Sequence, residues 1–296
     1  MELSWLTKLR ITLVMGLGVI VIGILGWSMA APDDPMGLVR MSNMSVISQI
    51  LLLLMALALG FVSYHIAWPY GFEIGILAVP AGLAVWGCRS GKITGVLQTF
   101  PTAMERQAVF IGLRWDAFYW LVVVLVGVVG ASLAKRLRPS PPLPLKEVHA
   151  HPKLDAYFGS ILALLISLLV GQFLMNGFAQ DIPLAGTELA SQPVMGQTAF
   201  AIMMAFGAGA YLVRHFLHLD YTWSVVSTAL LCFVGSYVHT KLTLLTDLAA
   251  KYPAVCFSNA VLSTLPIQMV AFGTIGAVIG YWLAIRYRYW RTHEFS

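Results

Sequence analysis

Eight stretches of the chain are predominantly apolar and long enough to cross a bilayer: 11–31, 45–67, 71–88, 115–134, 156–178, 198–217, 221–240 and 266–286. A spanning helix takes roughly 20 such residues, each adding about 1.5 Å. None of the stretches alternates polar with apolar at period two, so the pattern predicts helices and not the strands of a barrel. The third is the weakest, being short and holding Pro80. The first follows Lys8 and Arg10 and ends in Ser28-Met29-Ala30-Ala31, in the manner of a secretory signal. Its apolar run is longer than the roughly 7–15 residues of a signal core, so it reads as a retained transmembrane helix.

The polar intervals between these stretches repeat. A loop (32–44, then 179–197) is followed by a tight turn (68–70, then 218–220) and by a long mixed segment (89–114, then 241–265). Individual residues recur at a nearly constant spacing. Ala56 and Gly60 return as Ala205 and Gly209, 149 residues on, and His65 returns as His215, 150 on. Lys92 returns as Lys241, Pro101 as Pro253, and Gly130 and Ala134 as Gly280 and Ala284. The expected architecture is therefore all-α and membrane-integral, with eight transmembrane helices as two tandem four-helix repeats, residues 1–134 and 156–296. Four is even, so the repeats are expected to be parallel, about a pseudo-twofold along the membrane normal. Residues 135–155, with Pro139, Pro141, Pro142 and Pro144, read as an extended, stiff linker. The long mixed segments read as interfacial helices on the outer face, broken at Pro101 and Pro253, with a re-entrant hairpin as the alternative.

Composition agrees. Charged residues are 10% of the chain, hydrophobic residues 59%, and the mean hydropathy is +0.81. Soluble domains carry about 25% charged residues, and disordered chains are far less apolar. The net charge of +5 does not point to nucleic acid, because the basic residues sit in short loops and in the tail Arg286, Arg288, Arg291. Eleven Lys and Arg fall on the side of the chain ends and seven on the other, with a dense cluster at Lys135, Arg136 and Arg138. The excess predicts cytoplasmic termini, in a bacterial inner membrane. Trp27, Trp68, Trp86, Trp115, Trp223 and Trp282 fall near span ends and read as interfacial anchors.

Lipid tails give helices no hydrophobic reason to associate, so close packing rests on small residues. The candidates are Ala56, Gly60, Ala205 and Gly209 on the second helix of each unit, and Gly130, Ala134, Gly276, Gly280 and Ala284 on the fourth. Cys232 reads as a core residue, and Cys88 and Cys256 as a pair close enough in topology for a disulfide.

Candidate chemistry is sparse. An ionisable residue inside a span marks a functional site by default, yet no Asp, Glu, Lys or Arg falls near a predicted midplane. Arg114 and Asp116 flank Trp115 at the outer start of the fourth span and form a candidate polar or partner contact, with His239 and Lys241 at the corresponding end of the seventh. The second copy has Pro266-Ile267-Gln268 in place of the Arg-Trp-Asp trio, so such a site is expected in one half only. His65 and His215 are repeat partners, and His215 and His218 share a helical face. They are the candidates for haem ligation, but lying shallow and without acidic neighbours they read as interfacial histidines. No cofactor and no metal site is predicted, and no GxSxG, HExxH, Walker A or GxGxxG motif is present. The expected role is a non-catalytic membrane-embedded subunit or scaffold of a larger complex, its partners being the bilayer and other membrane subunits or further copies of itself. The alternative is a permease or channel for a small solute, with a path between the repeats.

Overall fold

Among the described residues, eight helices are long and apolar enough to cross a membrane: Trp5–Met29, Val46–Ala67, Gly71–Arg89, Ala103–Leu137, Tyr157–Phe178, Met195–Leu217, Thr222–His239 and Pro266–Arg291, here called spans 1 to 8. They come from a computed structural model that describes residues 4–34, 37–139, 153–179, 190–251 and 256–294. The protein is an all-helical integral membrane bundle. Most of the proline-rich linker lies outside the described residues.

Within the first four spans, span 2 packs along span 4, and span 1 along spans 2 and 3. Within the last four, span 6 packs along span 8, and span 5 along spans 6 and 7. The two sets meet through spans 3 and 8, spans 4 and 7, and spans 4 and 8. The most enclosed helices are span 3 (78% buried) and span 8 (83%), whereas spans 1, 2 and 5 turn most of their surface outward.

Glycine sets the tightest crossings. A β-carbon at Gly130 would overlap the Leu57 carbonyl, and one at Gly280 would overlap the Gly207 carbonyl. Gly60 meets the Gly127 backbone and Gly276 the Met203 backbone in the same way. Ala56, Ala134, Ala205 and Ala284 are buried around these crossings. Gly209 instead faces span 5, where a β-carbon would lie 3.3 Å from the Ser167 Cα.

The ends of the bundle differ. At one end the chain turns tightly at 68–70 and 218–220. At the other, loop-rich end, Gly91 N–H donates to the Gly37 carbonyl (3.0 Å) and Val39 N–H to Ser90 Oγ (3.0 Å). There a short helix, Ile93–Thr99, and an amphipathic one, Leu242–Lys251, bring Leu97, Leu245 and Leu248 around one small void. Strands β1 (Ala190–Ser191) and β2 (Cys256–Phe257) add a minimal antiparallel bridge.

Four readings meet the structure here, and two of them, the first and the third, need correction. The segment 89–114 is not interfacial throughout: after Pro101 the chain enters span 4 at Ala103 and runs unbroken for 35 residues, about 52 Å. Thr102 starts it with a capping box, its hydroxyl accepting from Glu105 N–H (3.3 Å) while the Glu105 carboxylate accepts from Thr102 N–H (3.2 Å). Two otherwise orphaned donors are thereby satisfied. Thr102→Ala is expected to cost about 1 kcal/mol, read as a small drop in melting temperature. Second, the other half keeps the expected order, a short amphipathic helix Leu242–Lys251 and a 3-10 turn Ala260–Ser263 before span 8; Pro253 lies outside the described residues. Third, Trp86 is no interfacial anchor; it is fully buried and stands edge-on to Trp27 and Trp120. Fourth, Cys88 is a free thiol.

Candidate functional site

The polar residues of span 4 gather near its start, at the loop-rich end. Arg106 turns back on the preceding short helix, donating from Nε to the Phe100 carbonyl and from Nη2 to the Leu97 carbonyl, both at 2.8 Å. Two turns on, Arg114 reaches across to span 7. Its Nε donates to Ser236 Oγ (3.1 Å), and its Nη2 to the Ser236 carbonyl (3.1 Å) and to Thr240 Oγ1 (2.7 Å). Ser236 Oγ donates onward to the Phe110 carbonyl (3.2 Å), the Thr240 hydroxyl donates to the Ser236 carbonyl, and Gln107 Nε2 donates to the Thr240 carbonyl (3.0 Å). The Arg114 guanidinium also lies 5.4 Å from the Tyr237 ring centre. Arg106 bonds within the first half, while Gln107, Arg114, Ser236 and Thr240 bond between the two halves of the chain, which suits a medium where an unpaired polar group is costly.

Asp116 faces elsewhere. It is buried, and its Oδ2 lies 4.0 Å from Arg40 Nε, a residue of the 32–44 loop. Arg40 reaches it by lying across Gly112, where a β-carbon would overlap its guanidinium. Arg114 and Asp116, two residues apart, thus serve different neighbours. His239 lends its carbonyl to Ser258 Oγ (2.9 Å), and Lys241 is exposed. These four residues do not converge on one site.

The second half has its own fastener. Gln268, near the start of span 8, accepts from Leu265 N–H (3.0 Å) and donates to the Gly87 carbonyl at the end of span 3 (3.0 Å). A cross-half polar contact in one half only is therefore not what is found: span 4 bonds to the end of span 7, and span 8 to the end of span 3. Arg40, Gln107, Ser236, Thr240 and Gln268 were not among the expected site residues. Ser236 and Thr240 lie four apart on one helical face, but Ser224 and Thr228 repeat that spacing in the same stretch, so the sequence does not single them out.

At the tight-turn end the histidines stay apart. His65 is flanked by Phe61 and Tyr64, with ring centres 5.1 and 5.7 Å away. His215 stacks on Tyr211 (5.8 Å) and leans on Tyr287. Among the described residues no ring contact or hydrogen bond joins His65 to His215. Nor do His215 and His218 share a helical face. Span 6 ends in a π-type turn, Val213–Leu217, and His218 is left-handed (φ 59°), with its ring against Arg288. Beside it, burial pushes the Tyr221 hydroxyl up from its ordinary range, with the Asp220 charge adding to the effect. Among the described residues no group of three or more His, Cys, Asp or Glu is placed to hold a metal ion.

Two small voids lie at the loop-rich end. One, of about 20 Å³, is lined by Ile93, Phe110, Cys232, Ser236 and Val261, between the halves. The other, of about 10 Å³, lies beneath the two short helices. Each has room for about one water. Comparison of the chain with protein families, with curated proteins and with solved structures gave no match.

Proposed function

We propose that the protein is a non-catalytic integral-membrane subunit or scaffold, made of two tandem parallel four-helix repeats with interfacial helical segments at the outer face. The observation that carries the reading is the use made of its polar side chains. Arg106, Gln107, Arg114, Ser236, Thr240 and Gln268 all fasten one helix to another or cap a helix end. A permease would run its path along the seam between the repeats, and at the loop-rich end these bonds occupy that seam. The broad outward faces of spans 1, 2 and 5 leave room for neighbouring subunits or lipid.

The repeat reading has support of its own. The crossing of Gly130 on Leu57 and that of Gly280 on Gly207 are the same crossing moved by 150 residues on both helices. Two of the carbonyls that receive cross-half fasteners, Gly87 and Ser236, stand 149 residues apart. At the span 6–span 8 crossing this register is one residue off the one that pairs Gly60 with Gly209, which is why Gly209 faces span 5. The charge asymmetry supports cytoplasmic termini in a bacterial inner membrane.

Extraction in a mild detergent, followed by sizing and mass spectrometry, tests the scaffold reading. A co-migrating membrane protein, or a stable multiple of this chain, is the expected result. A lone monomer that moves a small solute across vesicles would replace the reading with the permease.

A further inference from the structure

We propose that the seam between the two halves is a self-sufficient interface whose partner is a second copy of the four-helix unit, carried on the same chain, and that Arg114 and Gln268 are its anchors. The proposal rests on the repeat reading above and goes beyond it by assigning the seam a strength and a pair of decisive residues.

The geometry at the seam is reciprocal. The fourth helix of each unit sends polar side chains to carbonyls at the end of the other unit's third helix: Arg114 to Ser236, with Gln107 to Thr240 beside it, and Gln268 to Gly87. Helix for helix this is the self-complementary arrangement formed by two copies about a twofold, although the two anchors, 154 residues apart against 149 for the carbonyls they reach, are not the same position of the repeat. Both anchors are held in place by further bonds, Arg114 by Ser236 Oγ and Thr240 Oγ1, Gln268 by Leu265 N–H. Each delivers a donor to a carbonyl in the last turn of a helix, where the backbone ladder runs out. The seam also holds the most enclosed helices of the molecule, spans 3 and 8. A covalent link between two such units raises their effective concentration but adds no contact. The seam's bonds and buried faces are therefore expected to hold the halves together once the link is cut.

The test uses the full chain with residues 143–148 replaced by a protease recognition sequence. It is purified in a mild detergent, cut, and sized beside the uncut protein. The cut halves are expected to elute together, as one species of unchanged size. Arg114→Ala and Gln268→Ala are each expected to raise the separated fraction several-fold, and the double variant further, while the uncut variants elute as the parent does. Arg114→Lys and Gln268→Leu serve where an alanine variant fails this uncut control. Halves that separate on cutting overturn the proposal. Halves that stay together whatever stands at 114 and 268 overturn the assignment of the anchors. Dependence on one anchor alone keeps the seam self-sufficient and overturns the assignment of the other residue as an anchor.

Discussion

Replacing Gly280 by leucine is expected to collapse the crossing of spans 6 and 8 and to lower the melting temperature in detergent by roughly 6–12 °C, from a cost of about 3 kcal/mol or more. Ordinary overpacking is absorbed by side chains that shift to new rotamers. Here the atom in the way is the Gly207 carbonyl, and beyond it lie the Gly207 backbone carbon atoms. A helix backbone moves only as a body, so the whole of span 8 must back away from span 6. It cannot do so freely, because its other face is committed to spans 3, 4 and 7. Gly130→Leu, at the equivalent crossing on Leu57, is expected to behave alike. Gly16→Leu is the control, since nothing lies within 4 Å of a β-carbon there, and its melting temperature should stay near that of the parent. A Gly280→Leu protein that melts with the parent would remove the packing role assigned to this residue.

Arg40→Ala is expected to cost about 1–3 kcal/mol, because it removes the cation beside a buried carboxylate. Asp116 has a side-chain exposure of 6%, and Arg40 is its ion-pair partner. Removing the cation leaves the desolvation cost of the charge without its attraction. Asp116→Asn in the same chain should recover most of the loss, since the neutral amide has far less need of a cation. Single and double variants melted in parallel form a thermodynamic cycle. Additive losses would show that Arg40 and Asp116 do not depend on each other.

Much of this molecule is legible in its sequence, for a physical reason. Hydrocarbon demands an apolar helix of nearly fixed length, so each of the eight spans announces itself residue by residue. The exceptions are informative. Pro101 and the polar residues after it read as a break in an interfacial segment, yet Thr102 and Glu105 carry the spacing of a capping box and open a long helix. The histidine pair at 215 and 218 looks helical in one dimension, and the π-type turn that separates them has no hydropathy signature. Gln268 reads as the loss of a polar trio because it resembles neither Arg114 nor Asp116 in charge. Its likeness to Arg114 lies in what it reaches, a carbonyl 181 residues away, and pairing between helices is the information that hydropathy does not contain.

That separation of 181 residues bears on how the protein is made. Span 3, the most enclosed helix of the first half, enters the membrane long before span 8 exists to cover it. At about 5–20 residues per second, a ribosome leaves that face bare for roughly 10–40 s. If the halves are repeats, as proposed above, that face is one made to receive a unit of its own kind, and a neighbouring nascent chain offers one. Accurate biogenesis then depends on the newborn chain finding its own second half before it finds a stranger's.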